Sequence, residues 1–383
     1  MRKSYSVLIE NIFSLLTLRA LEYVLAFILV PYLIRVLGPL HFGMIAFMQG
    51  IMEYFRIFVD FGYSLTAPKA IAQAEEQKIG FLFAKYFYGK VCILIFVTLV
   101  FFAVYNLQRI LLGNTIDILF PVWFFQGIQK MRYITILNMS GRICTMLGIF
   151  LLVKSPDDYI LAAFLQACTP LIAGIFSIVW LRKHYTGLFK WPTIGEIINS
   201  YKEGWSIFVS SLAVNLYTAT NIVVLGMLTN NVIVGYYSAA DKLITCVRRG
   251  IYAVSDAIYP FISKMMKDDI SKGLQFIRKQ LFLYLVVGLI GCTSLFFFSD
   301  TIVKLLFGAD YELTVDVLRI LSFVPLAVAI STVFGEETML PLNMNSAYSR
   351  TLVLAAFFSL LSIFPLCYMW GAKGVAMTML LTE

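Results

Sequence analysis

Residues 281–299 read LFLYLVVGLIGCTSLFFFS, a run of nineteen residues without a charged side chain. An α-helix rises about 1.5 Å per residue, so about 20 apolar residues cross the hydrocarbon core of a bilayer. Similar runs recur along the chain, which has 383 residues, 60% of them hydrophobic and 14% charged. Soluble domains carry about 25% charged residues. The composition therefore predicts helices that are surrounded by lipid.

The apolar runs predict about eleven complete transmembrane helices and thus an all-α polytopic membrane protein. They lie near residues 12–34, 41–65, 80–105, 117–137, 141–153, 159–181, 204–228, 232–260, 281–299, 315–335 and 350–370. A twelfth helix begins at Gly371, and we expect it to be truncated at Glu383. The first span is too long for a signal peptide, which predicts that it is retained.

Lysine and arginine residues are distributed unevenly between the predicted loops. If the N-terminus is cytoplasmic, eighteen of them fall in inside segments. Five fall outside, namely Arg35, Arg109, Lys154, Lys304 and Lys373. Positive residues accumulate on the cytoplasmic side of membrane proteins, so this orientation is the predicted one. The net charge of +8 then faces anionic lipid head groups, and no nucleic-acid partner is expected.

Motifs of catalytic and cofactor sites are missing from the sequence. It has two histidines and no H-E-x-x-H, Walker A or G-x-S-x-G pattern. Its six cysteines lie in apolar spans without metal-ligand spacing. We therefore predict a protein without cofactor or metal that is not an enzyme.

A weak internal repeat divides the chain into two halves. Residues 36–73 and 228–265 align without gaps at an offset of 192 residues. The alignment matches Gly43 with Gly235, Arg56 with Arg248, Pro68 with Pro260, and the polar Gln49 with Asp241. An offset of six helices gives both halves the same orientation, as in transporters built from parallel repeats.

The repeat predicts two six-helix lobes. The first covers residues 1–185 and the second covers residues 204–383. Residues 186–203 form the cytoplasmic connection between them. Thr193 and Glu196 have the spacing of a capping box, which predicts a surface helix in this connection.

Ionisable residues are concentrated in three predicted spans. The first span contains Arg19 and Glu22, the second Glu53, Arg56 and Asp60, and the eighth Asp241, Lys242, Arg248, Arg249 and Asp256. Charges in the bilayer are costly and usually face a cavity or a partner. Guanidinium groups bind phosphate oxygens bidentately, whereas spacings of three and four residues also permit ion pairs within a helix. An anion site and a closed salt-bridge network both remain open.

Four stretches carry a resemblance to a known family. They are PYLIRVLGP at 31–39, VDFGY at 59–63, EGW at 203–205 with NLYT at 215–218, and VGYYSAADK at 234–242. In this order they resemble the Wzx-type polysaccharide flippases of the multidrug/oligosaccharidyl-lipid/polysaccharide (MOP) exporter superfamily. The sequence departs from the family pattern at Pro68-Lys69 and in its early stop within the twelfth helix.

The resemblance implies a secondary transporter of the bacterial inner membrane. Such proteins move an undecaprenyl-diphosphate-linked glycan from the cytoplasmic to the periplasmic leaflet by alternating access around a central cationic cavity. It implies diphosphate ligands at Arg19, Arg56, Arg248 and Arg249. Candidates for coupling to H⁺ or Na⁺ are Glu22, Glu53, Asp60 and Asp241. Membrane lipids are expected partners, and a polysaccharide polymerase and a chain-length regulator are candidate partners.

Two other functions are compatible with the sequence. One is a sibling transporter of the same superfamily, either a multidrug antiporter or a flippase for the peptidoglycan precursor. The other is a membrane glycosyl polymerase or ligase, for which the long external loop is missing.

Overall fold

The computed structural model describes residues 2–105, 121–128, 130–185, 190–308 and 310–383, which are almost entirely helical and contain no β-strand. Helices α1 to α15 are, in chain order, Arg2–Asp60, Tyr63–Ala72, Glu76–Tyr105, Val122–Gly127, Met131–Leu152, Tyr159–His184, Ile194–Thr218, Thr220–Leu228, Asn231–Asp268, Ile270–Phe297, Ser299–Leu306, Glu312–Leu321, Val324–Phe334, Asn345–Trp370 and Ala372–Thr382. A 3-10 turn at Pro156–Asp158 precedes α6, and a π-helical segment at Gly335–Met339 follows α13.

Seven stretches of the described chain are long and apolar enough to cross a bilayer. Helix α10 is one of them, and its side chains Phe282, Val287 and Ile290 are each more than half exposed. Large contiguous apolar surfaces are rare on soluble monomers, whereas a helix in lipid requires them. The prediction of an all-α polytopic membrane protein is confirmed.

Helix α1 bends sharply at Gly38, between the first two predicted spans. Gly38 has a φ of +69° and a ψ of 173°, which residues with a Cβ rarely adopt. Pro39 follows at a position where the first turn of a new helix needs no N–H donor. The Gly-Pro pair therefore ends one apolar helix and begins the next.

The structure differs from the predicted fourth and fifth spans. Helix α5 is continuous across residues 137–141, where we expected a break. Gly141 lies so close to the backbone carbonyl of Thr169 on α6 that no Cβ would fit. This glycine therefore serves helix packing and not a turn. The helical path is interrupted between α4 and α5 instead, near Lys130.

The predicted surface helix in residues 186–203 continues without a break into the first part of the predicted seventh span, as helix α7, and residues 220–228 of that span form α8. The predicted capping box at its start is present. The Glu196 carboxylate accepts hydrogen bonds of 2.7 Å from the N–H and from the hydroxyl of Thr193. These hydrogen bonds, the one from the side chain above all, hold the pKa of the Glu196 carboxyl below its usual value.

The described chain forms two compact units. The first unit comprises residues 1–26 and 48–212, and the second unit comprises residues 27–47 and 213–383. Arg35 belongs to the second unit, because its guanidinium donates to the carbonyls of Leu305 and Leu306. Tyr311 also donates a 2.8 Å hydrogen bond to the carbonyl of Ile34. The lobes predicted from the repeat assign this segment to the first half, and those lobes remain a prediction.

Within the second unit, α1 and α9 cross at two glycines. A Cβ on Gly43 would overlap the carbonyl oxygen of Asn231, and a Cβ on Gly235 would overlap the carbonyl oxygen of Pro39. Both obstacles are backbone atoms of a helix, which cannot move aside as a flexible side chain can. Gly43 and Gly235 are also the glycines that the predicted repeat aligns.

Candidate functional site

Glu53 and Arg56 form an ion pair in the first unit. The Arg56 Nη2 and Glu53 Oε1 atoms are 2.6 Å apart on one helix face, three residues apart in sequence. The two side chains are 60% and 35% exposed, respectively. Ion pairs of such exposure contribute about 0–1 kcal/mol, because solvent screens them. The spacing-based expectation of an intrahelical pair is confirmed here, and the guanidinium remains accessible.

Asp60 pairs with a residue that the sequence reasoning missed. Its Oδ1 lies 2.7 Å from Nζ of Lys90 on α3, and its Oδ2 accepts a 3.2 Å hydrogen bond from the N–H of Ser64. Lys90 is 9% exposed. A buried ammonium requires a partner, so Asp60 neutralises Lys90 across two helices and does not pair with Arg56. A lysine well inside an apolar span is the signal that would have identified it.

Arg248 lines a small, partly open pocket within the second unit, called the cavity below. Helices α8, α9, α14 and α15 contribute to its walls. The cavity is lined by Asn221, Ile222, Tyr237, Asp241, Arg248, Ser359, Met379, Thr382 and Glu383. The repeat aligns Arg56 with Arg248. The side chain of Arg56 is exposed, whereas that of Arg248 is only 18% exposed.

The cavity is polar but incompletely paired. The Arg248 Nη1 atom is 3.9 Å from Oε1 of Glu383, and Nη2 donates a 3.3 Å hydrogen bond to Thr245. Among the described residues, the Arg248 Nε and the Asn221 Oδ1 atoms are buried without a hydrogen-bond partner. An unpaired guanidinium N–H is suited to an acceptor oxygen of a ligand.

The charges of this cavity limit what it can bind. Asp241 and Glu383 place two carboxylates in the same lining as the single guanidinium of Arg248. An anion at Arg248 would therefore be repelled unless a carboxylate took up a proton or a cation. Anion binding and cation uptake are linked in this geometry.

The remaining predicted site residues are less defined. Arg249 is exposed, whereas the neighbouring Arg248 is half-buried. The side chains of Arg19 and Glu22 lie outside the described part of the structure, so their predicted roles stay predictions. Among the described side chains, no group of three or more His, Cys, Asp or Glu residues could hold a metal ion.

Comparisons with known proteins place this chain in a family. Residues 8–266 match the family described as "Polysaccharide biosynthesis protein". The chain is 30% identical to the "Putative O-antigen transporter" of Escherichia coli K12, over 98% of this chain and 93% of that protein. The chain belongs to this polysaccharide biosynthesis family. The protein of the same name from Shigella dysenteriae is 29% identical over 98% of this chain and 96% of that protein.

A more distant relative of this chain comes from an archaeon. The "Probable low-salt glycan biosynthesis flippase Agl15" of Haloferax volcanii is 23% identical over 98% of this chain and 79% of that protein.

Two solved structures share the fold. An inward-facing multidrug resistance transporter of the MATE family within the MOP superfamily superposes with a TM-score of 0.73 at 13% identity, covering 94% of this chain and 90% of that chain. The lipid II flippase MurJ superposes with a TM-score of 0.72 at 14% identity, covering 96% of this chain and 84% of that chain. These two structures show the fold that the resemblance implied, and the family match confirms a polysaccharide biosynthesis protein.

Proposed function

We propose that this protein is a flippase for lipid-linked oligosaccharides. The observation that carries the proposal is the similarity of 98% of the chain to O-antigen transporters at 29% and 30% identity. The cargo in this proposal is an undecaprenyl-diphosphate-linked repeat unit of O-antigen or capsule. It moves from the cytoplasmic to the periplasmic leaflet of a bacterial inner membrane, in which the N-terminus is cytoplasmic.

The arginines bind the diphosphate in this proposal. Among the described residues, Arg56 pairs with Glu53 in an exposed ion pair, so a phosphate that accepts a bidentate hydrogen bond can displace that carboxylate. Arg248 offers a buried Nε donor without a partner in the described structure. Arg19 and Arg249 are the further ligands implied by the family resemblance.

The carboxylates couple transport to an H⁺ or Na⁺ gradient. Asp241 shares a cavity with Arg248, so a cation bound at Asp241 would favour an anion there. Glu53 is released when phosphate takes its place on Arg56. Asp60 is a weaker candidate, because it already neutralises Lys90, whereas Glu22 stays a candidate from the family resemblance. Alternating access would then be driven by the gradient and not by ATP.

The test uses a strain whose surface polysaccharide depends on this protein. We expect Arg56→Ala and Arg248→Ala to be inserted in the membrane, to reduce surface polymer to about one-tenth or less, and to accumulate lipid-linked units inside. Arg→Lys at each site should retain part of the activity, because lysine keeps the charge but loses the bidentate fork.

Lys272→Ala and Lys304→Ala are the matched controls. Both lysines form exposed ion pairs with a nearby aspartate, at distances of 3.3 Å and 2.8 Å, and neither lines the cavity. They should keep full surface polymer. Full polymer in both Arg→Ala variants would disprove the role of the arginines. Loss of polymer without accumulated lipid-linked units would contradict the flippase function itself.

A further inference from the structure

Glu337 is a fully buried carboxylate in the second unit. It lies in the π-helical segment Gly335–Met339, and its exposed fraction is 0%. π-helical segments insert an extra residue into a helical turn and are frequent at functional sites. The hydroxyl of Thr338 supports the inserted turn by donating a 2.6 Å hydrogen bond to the carbonyl of Val333. The segment thus holds an acidic side chain inward.

The carboxylate is surrounded by neutral polar groups. Gln280 on α10 donates a 2.7 Å hydrogen bond from Nε2 to the Glu337 Oε2 atom. Ser255 on α9 is buried, and its hydroxyl lies near enough to interact with the same carboxylate. Within the described part of the chain, no lysine, arginine or histidine forms an ion pair with Glu337. A carboxylate buried without a counter-ion is strongly unfavourable in its charged form.

Three oxygen atoms at this site have no hydrogen-bond partner in the described structure. They are Oε1 of Glu337, Oε1 of Gln280 and the hydroxyl oxygen of Tyr284, and all three are buried. The Tyr284 hydroxyl could donate to one of the two acceptors, so at least one acceptor would still lack a donor. The site is therefore short of one hydrogen atom, which a proton on the carboxylate would supply.

The surroundings contain few other groups that could titrate in its place. Tyr284 is the titratable group from α10, and Tyr348 is the one from α14, whose ring lies beside Gly335. Glu336 is adjacent in sequence and interacts with Tyr348. Helix α13 contributes no ionisable residue. From α9 the contact is Ser255, and the side chain of the next residue, Asp256, is not described.

We propose that Glu337, together with Gln280 and Ser255, forms a proton-binding site inside the second unit. The protonated carboxyl is neutral, and its O–H donates to an acceptor oxygen that is otherwise unpaired. We further propose that this proton couples transport; that role rests on the proposed function, whereas proton binding itself does not. The site is separate from the cavity at Arg248, in whose lining none of these residues takes part.

The first experiment detects the proton without measuring transport. Dicyclohexylcarbodiimide reacts with protonated carboxyls in apolar surroundings, and its adduct can be located by tandem mass spectrometry. We expect the purified full-length protein to be modified at Glu337, with modification decreasing from about pH 6 to about pH 9, a range in which an ordinary glutamate is ionised. Glu336→Gln is the matched control and should leave the modification of Glu337 unchanged.

Two results would overturn the proton assignment. One is no modification of Glu337 at any pH in this range. The other is modification that is independent of pH and abolished by Na⁺ but not by choline, which would assign a sodium site. Neither result depends on a variant that could fail to fold.

The second experiment measures surface polymer in cells. Glu337→Gln cannot exchange a proton at this position. We expect it to reduce surface polymer at least tenfold at normal protein level, while Glu336→Gln keeps the wild-type amount. Full export by Glu337→Gln, with Glu337 modified in the wild type, would show a proton site that is not used for coupling. If the wild type itself restores no export, the proposed function fails, while the carbodiimide result still decides the proton site.

Discussion

The buried charge of Lys90 is balanced by an aspartate on another helix. Its Nζ lies 2.7 Å from Asp60, and its side chain is 11% exposed while that of Asp60 is 29% exposed. Removal of one member of a buried pair destabilises a protein by about 3–5 kcal/mol, and the partial exposure of Asp60 lowers this value. We expect Lys90→Met to lower the free energy of unfolding by about 2 kcal/mol. Thermal unfolding of the purified protein in detergent measures the change.

Lys78 on the same helix is the control for this prediction. Lys78 lies 3.0 Å from Glu75, and the side chains of Lys78 and Glu75 are 66% and 75% exposed, respectively. Lys78→Met should therefore change the free energy of unfolding by less than about 0.5 kcal/mol. Asp60→Asn combined with Lys90→Met should recover most of the loss, because no uncompensated charge remains. Equal effects of the two lysine substitutions would contradict the pairing.

Some of these residue-level interactions could be predicted from the sequence and others could not. The Glu53–Arg56 pair follows from a spacing of three residues on one helix. The partners of Asp60 and Glu337 are 30 and 57 residues away, respectively, on other helices. Sequence spacing carries no information on which helices are neighbours, so Lys90 and Glu337 were missed as site residues.

At the scale of helices, the crossing of α1 and α9 depends on Gly235. A Cβ there would overlap the backbone of Pro39, whereas a Cβ on Gly250 of the same helix would meet nothing within 4 Å. Overpacking costs about 1–3 kcal/mol, whereas replacing an exposed helical glycine by alanine gains up to about 1 kcal/mol. We expect Gly235→Ala to lower the unfolding temperature and Gly250→Ala to maintain or raise it. A tolerated Gly235→Ala would show that the two helices do not pack as described.

The capping box at the start of α7 makes a prediction about pH. Because the pKa of Glu196 is lowered in the folded protein, its contribution is present above the ordinary glutamate pKa of about 4.3 and is lost as pH falls through the lower folded value. We expect protection of the amides at residues 193–197 from hydrogen exchange, corrected for intrinsic rates, to fall on acidification below about pH 4.

The Glu196→Gln variant separates charge from hydrogen bonding at this cap. Glutamine also caps helices from this position, but it does not titrate. Its protection should therefore be independent of pH over the same range. A pH dependence that persists in Glu196→Gln would assign the effect to another group.

Hydropathy predicted where apolar helices lie better than where they end. The break predicted between residues 34 and 41 is present at Gly38, whose φ is +69°. The break predicted between residues 137 and 141 is absent, and Gly141 beside it packs against the carbonyl of Thr169. A glycine can serve a turn or a close helix contact, and only the neighbouring helix distinguishes the two uses.

For the whole molecule, the compact units do not follow the order of the chain. Residues 27–47 pack with the second unit, through Arg35 and Tyr311, although they belong to the first half of the sequence. The repeat relates segments by sequence similarity, whereas compactness depends on contacts between distant segments. A repeat in the sequence therefore predicts which helices are equivalent, but not which of them pack together.

Helix α10 allows a test of the orientation of the molecule in the membrane. Its 28 residues give a length of about 42 Å, more than the roughly 30 Å of the hydrocarbon core. Lys272 near its start is 75% side-chain exposed, and Lys304, which follows its end, is 57% exposed. With native cysteines replaced, we expect a membrane-impermeant maleimide to label Lys304→Cys in spheroplasts, and Lys272→Cys only in inverted vesicles.

This labelling pattern follows from the positive-inside rule applied to the two ends of a single helix. Lys264, Lys267, Lys272, Arg278 and Lys279 surround the start of α10, whereas Lys304 is the only basic residue in 299–308 beyond its end. Labelling of both cysteines in detergent shows that each is reactive. The reversed pattern in cells would place the N-terminus outside and direct the proposed translocation towards the opposite leaflet. Labelling of both cysteines from the same side would mean that α10 does not cross the membrane.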